Sequence, residues 1–269
     1  MKLAVFGYPI EHSLSPQIHT AFAAQSGRQL EYQRILAASE HFSQRFAEFV
    51  GSGGVGANVT VPLKEQAVFL CDALSERAEQ AGAVNTLIFR EGRWLGDNTD
   101  GLGLVRDLQR LGVRIADARV LIIGAGGAVR GILGPLLAAQ AQVIHVVNRT
   151  ETRAQQLAAE FSGVTAGGYE SAVQNDPWDL IIQASAASLH GELPPLSENI
   201  LHGAPFCYDM VYGAQPTVFL QWAEQSGCKI ADGLGMLVEQ AALSYQAWTG
   251  EQPQTELVLN ELRRQLETG

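Results

Sequence analysis

Apolar residues along the chain bunch into short runs, and stretches of helical spacing fall between them. KLAVFG (2–7), LEYQRIL (30–36), GANVT (56–60) and AVNTLIF (83–89) read as strands, with helices predicted at about 15–26 and 39–50 between the first three. Such alternation predicts a parallel α/β layer. EGRW (91–94) suits a small hairpin. The stretch that follows, TDGLGLVRDLQRLG (99–112), carries Leu102, Leu104, Val105, Leu108 and Leu111 on one helical face and stops at Gly112.

A second alternation starts at Arg119. RVLIIG (119–124), QVIHVVN (142–148), WDLIIQAS (178–185) and PFCYDMV (205–211) read as strands, with helices to about 140, at 151–161 and at 217–226. That order is Rossmann-like. No sixth strand of this second unit is evident after Ile230. Two helices close the chain, at 232–248 and about 255–266. In the first of them Leu234, Leu237, Val238, Ala241, Tyr245 and Trp248 form an apolar stripe, and Met236, Gln240 and Ser244 lie on another face.

The length of 269 residues with 46% hydrophobic content supports one large core or two modest ones. A formal net charge of −10 argues against general attraction to nucleic acid or anionic membranes, so an anionic ligand needs a local positive site. Residues 120–147 are long enough to span a bilayer, but five glycines and Pro135 make a continuous membrane helix a poor fit. The cysteines Cys71, Cys207 and Cys228 are far apart with no CxxC spacing, which reads as free thiols in a reducing cytoplasm. No cluster has metal-ligand spacing.

The glycine-rich turn Gly124-Ala125-Gly126-Gly127-Ala128-Val129 follows an apolar strand and opens a helix. Its first two fingerprint glycines suit a tight turn and close approach of backbone to a pyrophosphate; Val129 replaces the third. The strand after it ends in Asn148-Arg149-Thr150 with Arg153 one turn on, rather than in the Asp or Glu that holds a ribose 2′-hydroxyl. Arginines there suit a 2′-phosphate, hence NADP(H) over NAD, whereas an isolated arginine pair reads as solvated surface.

Because this loop begins nearly halfway along, about the first hundred residues are free for substrate binding. HSLSPQIH sets Ser13 and Ser15 before a helix, where hydroxyls and free N–H groups can hold a carboxylate; alternatively Ser15 is an N-cap with Pro16 at the first helical position. Thr60 ends a strand, and Lys64 is expected in the first turn of the next helix, where the dipole opposes a cation. Asn85 and Asp100 add an amide and a carboxylate. Lys64 with Asp100 can be a proton-relay pair or a salt bridge.

Taken in order, GYPIEHSLSP, NVTVPLKE, AVNT, GDNTDG, GAGGAVRG, VVNRT and DGLGMLVEQAA resemble the shikimate dehydrogenase family over nearly the whole chain. The resemblance implies an α/β protein of two domains. A substrate domain (1–100 plus 236–269) regains the C-terminal helix, and 101–235 form a Rossmann-like NADP-binding domain. It implies reversible reduction of 3-dehydroshikimate to shikimate with NADPH in the route to aromatic amino acids. By motif, Ser13 and Ser15 would hold the substrate carboxylate, Thr60, Asn85, Asp100 and Gln240 its hydroxyls, with Tyr212 at the border. Lys64 and Asp100 would be the catalytic pair. Met210 and Gly233 would join the glycine loop, Asn148, Arg149, Thr150 and Arg153 at the cofactor.

The sequence departs from the family pattern at Gln183-Ala184-Ser185, where an Asn-Ala-Thr-like stretch is common. It also departs at His19-Thr20 and Gly213-Ala214, in place of His-Asn and Asn-Pro. A quinate-acting paralogue and a catalytically silent nucleotide-binding regulator are the alternatives. The expected setting is cytoplasmic, with a small-molecule substrate, neither nucleic acid nor membrane as partner, and a homodimer as candidate assembly.

Overall fold

The computed structural model describes residues 1–174 and 177–268. They divide into two compact units, 1–103 with 238–261, and 104–237 with 262–269.

In the first unit the chain runs β1 (Lys2–Gly7), α1 (Ser15–Gln25), β2 (Glu31–Leu36), α2 (Phe42–Gly51), β3 (Gly56–Val59), β4 (Ala73–Leu74), α3 (Glu76–Ala81), β5 (Thr86–Arg90) and β6 (Arg93–Asp97). α4 (Asp100–Arg110) begins here and crosses into the second unit. The sheet order is β2-β1-β3-β5-β6-β4. It is mixed, not wholly parallel: β1 pairs parallel with β2 and β3, while β5 runs antiparallel to both β3 and β6. The cause is local. Glu91 and Gly92 both have positive φ (52° and 77°), the two-residue turn whose twist matches an antiparallel hairpin. Hydrophobic period reports a strand but not its direction. Phe6 packs edge-on against Phe42, Phe46 and Phe49, tying α2 to the sheet.

The second unit contains β7 (Arg119–Ile123), α5 (Gly127–Ala138), β8 (Val143–Val147), α6 (Glu151–Ala159), β9 (Val164–Gly167), α7 (Ser171–Gln174), β10 (Leu180–Gln183), β11 (Phe206–Asp209), α8 (Val218–Gln225) and β12 (Ile230–Asp232). The chain ends with α9 (Leu234–Thr249) and α10 (Thr255–Thr268). Every pairing in this sheet is parallel, in the order β12-β11-β10-β7-β8-β9. That is the doubly wound dinucleotide-binding order, with its reversal between β7 and β10. Six strands are therefore present. β9 and β12, only four and three residues long, lie at the two edges and are too short to show a period. Leu121 and Ile123 feed one core and Val120 and Ile122 the other, as a parallel sheet covered on both faces requires.

α9 departs from its expected stripe. Met236 and Ser244 are buried along with Val238, Ala241 and Tyr245, whereas Leu237 and Trp248 are only partly covered. The helix is packed on most of its circumference, so no single face defines it. Among the described residues no helix is long and apolar enough to cross a membrane.

Candidate active site

In the first unit, Ser13, Ser15, Lys64, Asn85, Asp100 and Gln240, all singled out by sequence, belong to one connected network. Asp100 is the first residue of α4, where a carboxylate complements the helix dipole, and its backbone N–H donates to Asn98 Oδ1 at 3.1 Å. Lys64 Nζ donates to Asp100 Oδ2 at 2.7 Å, and Asn85 Nδ2 donates to Asp100 Oδ1 at 2.8 Å. Both carboxylate oxygens are thereby engaged. The Asn85 amide is fixed from its other end, where Oδ1 accepts from the Thr99 N–H at 2.9 Å and the Thr86 hydroxyl at 2.8 Å. Its Nδ2 therefore faces Asp100 and also reaches Gln240 Oε1 at 2.8 Å.

Lys64 does not lie in a helix. It sits in the turn after β3, ahead of a short 3₁₀ segment at Gln66–Leu70. No helix dipole opposes its charge, which Asp100 balances instead. Lys64 is 27% and Asp100 9% exposed at the side chain, so the lysine is the more open to solvent of the pair.

Ser13 and Ser15 meet at 3.2 Å between hydroxyl oxygens. The N-cap of α1 is Leu14, with no side-chain cap; Ser15 is already helical and its N–H donates to Ser13 Oγ at 3.3 Å. The capping alternative for Ser15 is therefore incorrect: Ser13 takes the N–H and Ser15 Oγ points elsewhere. Ser15 hydrogen-bonds Tyr32, a partly buried phenol whose pKa desolvation raises well above its ordinary value. Tyr32 donates to Asn58 Oδ1 at 2.7 Å, Asn58 Nδ2 to Thr86 Oγ1 at 3.3 Å, and Thr86 to Asn85. An unbroken side-chain path thus joins the paired serines to Lys64. Thr60 is on the same turn as Lys64, with its methyl against Gly7.

Sequence reasoning missed Tyr32, Asn58, Thr86, Thr99 and Ser244, the last of which accepts from Asn58 Nδ2 at 3.0 Å. One signal was available: Asn58 is a polar residue inside a fully buried four-residue strand. His19 lies behind it, stacked on Tyr32 at 4.5 Å, with Nε2 3.1 Å from Asn58 Oδ1. The acceptor there assigns the proton to Nε2, and burial lowers the imidazole pKa to about 3.

In the second unit a cavity of about 520 Å³ opens beside the glycine turn, lined by Gly124, Gly126, Asn148, Arg149, Arg153 and the segment 184–195. Gly124 has φ of +121°, and a Cβ on it would stand 2.9 Å from Ser185 N, so only glycine fits. A Cβ on Gly126 or Gly127 would meet nothing within 4 Å, so packing does not demand those glycines. The first turn of α5 has no side-chain cap, which leaves N–H donors and two arginines around one concavity. That donor set fits a dinucleotide with a 2′-phosphate.

Gln183, at the family departure, is fully buried, and its Oε1 accepts from Ser185 N at 3.1 Å, setting the turn that abuts Gly124. Beyond β11, Met210 and Gly233 are in contact: a Cβ on Gly233 would fall 2.1 Å from Met210 O. Tyr212 follows, half-buried, with its phenol pKa raised by burial and then by Asp232.

A doubly wound unit with an arginine-flanked glycine loop, coupled in one chain to a lysine–carboxylate network, defines the class of dinucleotide-binding α/β proteins. Family models match residues 5–87 (shikimate dehydrogenase substrate binding domain), 107–190 (shikimate / quinate 5-dehydrogenase) and 233–263 (shikimate 5'-dehydrogenase C-terminal domain). The chain is 51% identical to the shikimate dehydrogenase (NADP(+)) of Chromohalobacter salexigens, over 98% of both chains. It is 52% identical to that of Aeromonas salmonicida over 99% of both. Among solved structures, an Ael1 enzyme from Pseudomonas putida superimposes with a TM-score of 0.92 at 41% identity, over 97% of both chains. The Thermus thermophilus shikimate 5-dehydrogenase in complex with NADP(H) and shikimate gives 0.89 at 34%, over 99% of both. The chain belongs to the shikimate dehydrogenase family.

Proposed function

We propose that the protein catalyses the reversible NADP-dependent interconversion of shikimate and 3-dehydroshikimate. The observation that carries this is the hydrogen-bonded path from Ser13 and Ser15 to Lys64. It offers carboxylate donors at one end and an amine with its carboxylate partner at the other, matching a hydroxy-acid with an oxidisable ring carbon. The bound dinucleotide supplies or accepts the hydride.

The side chains do the rest. Ser13 and Ser15 hold the carboxylate; Thr60, Asn85, Asp100 and Gln240 hold ring hydroxyls. In the reductive direction negative charge develops on the C3 oxygen. Lys64 stabilises that charge and donates a proton, then regains one from solvent, to which it is partly open. Asp100, bonded to Lys64 and Asn85, keeps the amine aimed. Arg149 and Arg153, with Asn148 and Thr150, take the 2′-phosphate, and the loop from Gly124 to Ala128 takes the pyrophosphate. Met210 and Gly233 complete the cofactor site. Three free cysteines support a reducing, cytoplasmic setting.

The test is the near-ultraviolet absorbance of reduced nicotinamide, followed with shikimate or quinate, each with NADP or NAD. Shikimate with NADP is expected to be fastest. Faster turnover of quinate would overturn the substrate assignment, preference for NAD the cofactor assignment, and no turnover with any pair the enzymatic reading itself.

A further inference from the structure

The arginines that argue for NADP follow β8. The neighbouring edge strand β9 delivers a further polar group to the same place. Val147 at the end of β8 is in register with Gly167 at the end of β9, so Asn148-Arg149 and Gly168-Tyr169 leave the sheet side by side at its ligand-binding edge. Tyr169 lines the same cavity as Arg149 and Arg153.

We propose that Tyr169 is a determinant of cofactor choice, its phenol donating a hydrogen bond to the 2′-phosphate that distinguishes NADP from NAD. The proposal rests on the NADP-binding reading above and adds a donor from a different strand to those that follow β8.

The turn that presents Tyr169 is built rather than loose. Ser171 Oγ donates to Gly168 O at 2.7 Å, and His145 Nε2 on β8 lies 2.8 Å from Ser171 Oγ. A Cβ on Gly167 would stand 2.3 Å from Ser171 Oγ, so the backbone there closes tightly on the serine. The backbone that carries Tyr169 is therefore held in place. Burial raises its pKa from the ordinary value, against the opposing pull of the Arg149 charge and a backbone hydrogen bond from Arg149. The group is consequently a neutral O–H at neutral pH. A neutral phenol has one O–H, which can be donated to an anion. A phosphate gains from such a donor, whereas the 2′-hydroxyl of NAD, itself a donor and acceptor, gains little.

Two probes isolate the phosphate: adenosine 2′,5′-bisphosphate and adenosine 5′-monophosphate, titrated calorimetrically into wild type, Tyr169→Phe, Tyr169→Ala and Arg149→Ala. Tyr169→Phe is expected to weaken the bisphosphate about tenfold and to leave the monophosphate within about twofold. Unchanged bisphosphate binding in Tyr169→Phe would overturn the proposal. So would equal losses of both nucleotides in Tyr169→Ala with none in Tyr169→Phe, which would make the ring a stacking surface for adenine. Unchanged bisphosphate affinity in Arg149→Ala would instead overturn the anion site on which the proposal rests, and is thereby distinguishable from failure at Tyr169 alone.

Discussion

Removing the Asn85 side chain should cost both stability and substrate binding, and the hydrogen-bond network sets the size. In Asn85→Ala the Thr99 N–H, fully buried, loses its acceptor at 2.9 Å. An orphaned buried donor costs about 1–3 kcal/mol. Asp100 Oδ1 loses a charge-assisted donor at 2.8 Å, worth about 1.5–3 kcal/mol. The two losses share one side chain and are not independent, so about 3 kcal/mol is the working figure. For a chain of this size that corresponds to a fall in Tm of roughly 6–12 °C. Calorimetric melting measures it, and titration with shikimate measures the accompanying loss of affinity. A Tm within about 2 °C of wild type would refute the reasoning, because it would mean that the Asn85 carboxamide fixes neither Thr99 nor Asp100.

Other outcomes follow from single features. Ser13→Ala and Ser15→Ala should each lower kcat/KM for shikimate by a factor equivalent to roughly 1.5–3 kcal/mol, mainly through KM; a lowered Tm without a KM effect would make the serines structural. Replacing Arg149 and Arg153 together with neutral residues should raise KM for NADP strongly and spare NAD, and the wild-type preference should shrink as salt rises; equal losses would place the arginines in a structural role. His19 supplies a pH signature. Its native pKa of about 3 lies below the ordinary value of 6.5, so between these values the unfolded chain binds a proton that the native chain excludes. Stability should therefore fall with decreasing pH through that window, by up to about 1.4 kcal/mol per unit from this residue. His19→Gln should flatten the slope in urea titrations between about pH 6 and 4, and identical slopes would contradict the buried neutral imidazole.

Most of the second unit was legible in the sequence because its central strands are buried on both faces and therefore read as continuous apolar runs, such as Val120–Ile123. β9 and β12 escaped because three or four residues at a sheet edge carry no period. In the first unit the strands were visible, and EGRW marked the hairpin that makes β5 and β6 antiparallel, but nothing local in the sequence marked β5 as antiparallel to β3. At the site, residues with unusual local chemistry stood out, such as Lys64 and Asp100. Their supports did not. Tyr32, Asn58, Thr86 and Ser244 come from β2, β3, β5 and α9, and only tertiary packing brings their hydroxyls and amide into one path. Ser15 shows the converse error. A serine before a proline looks like an N-cap, but here the helix begins one residue earlier and the hydroxyl is used by Tyr32.

The central claim is that Lys64, held by Asp100, serves the proton-transfer step rather than simple binding. Steady-state kinetics of Lys64→Ala with shikimate and NADP test it most directly. In this variant kcat is expected to fall by about 10²–10⁴ while KM for shikimate changes little, since the charge is needed most as the alkoxide forms. A kcat near that of wild type, or a loss carried wholly by KM, would contradict it.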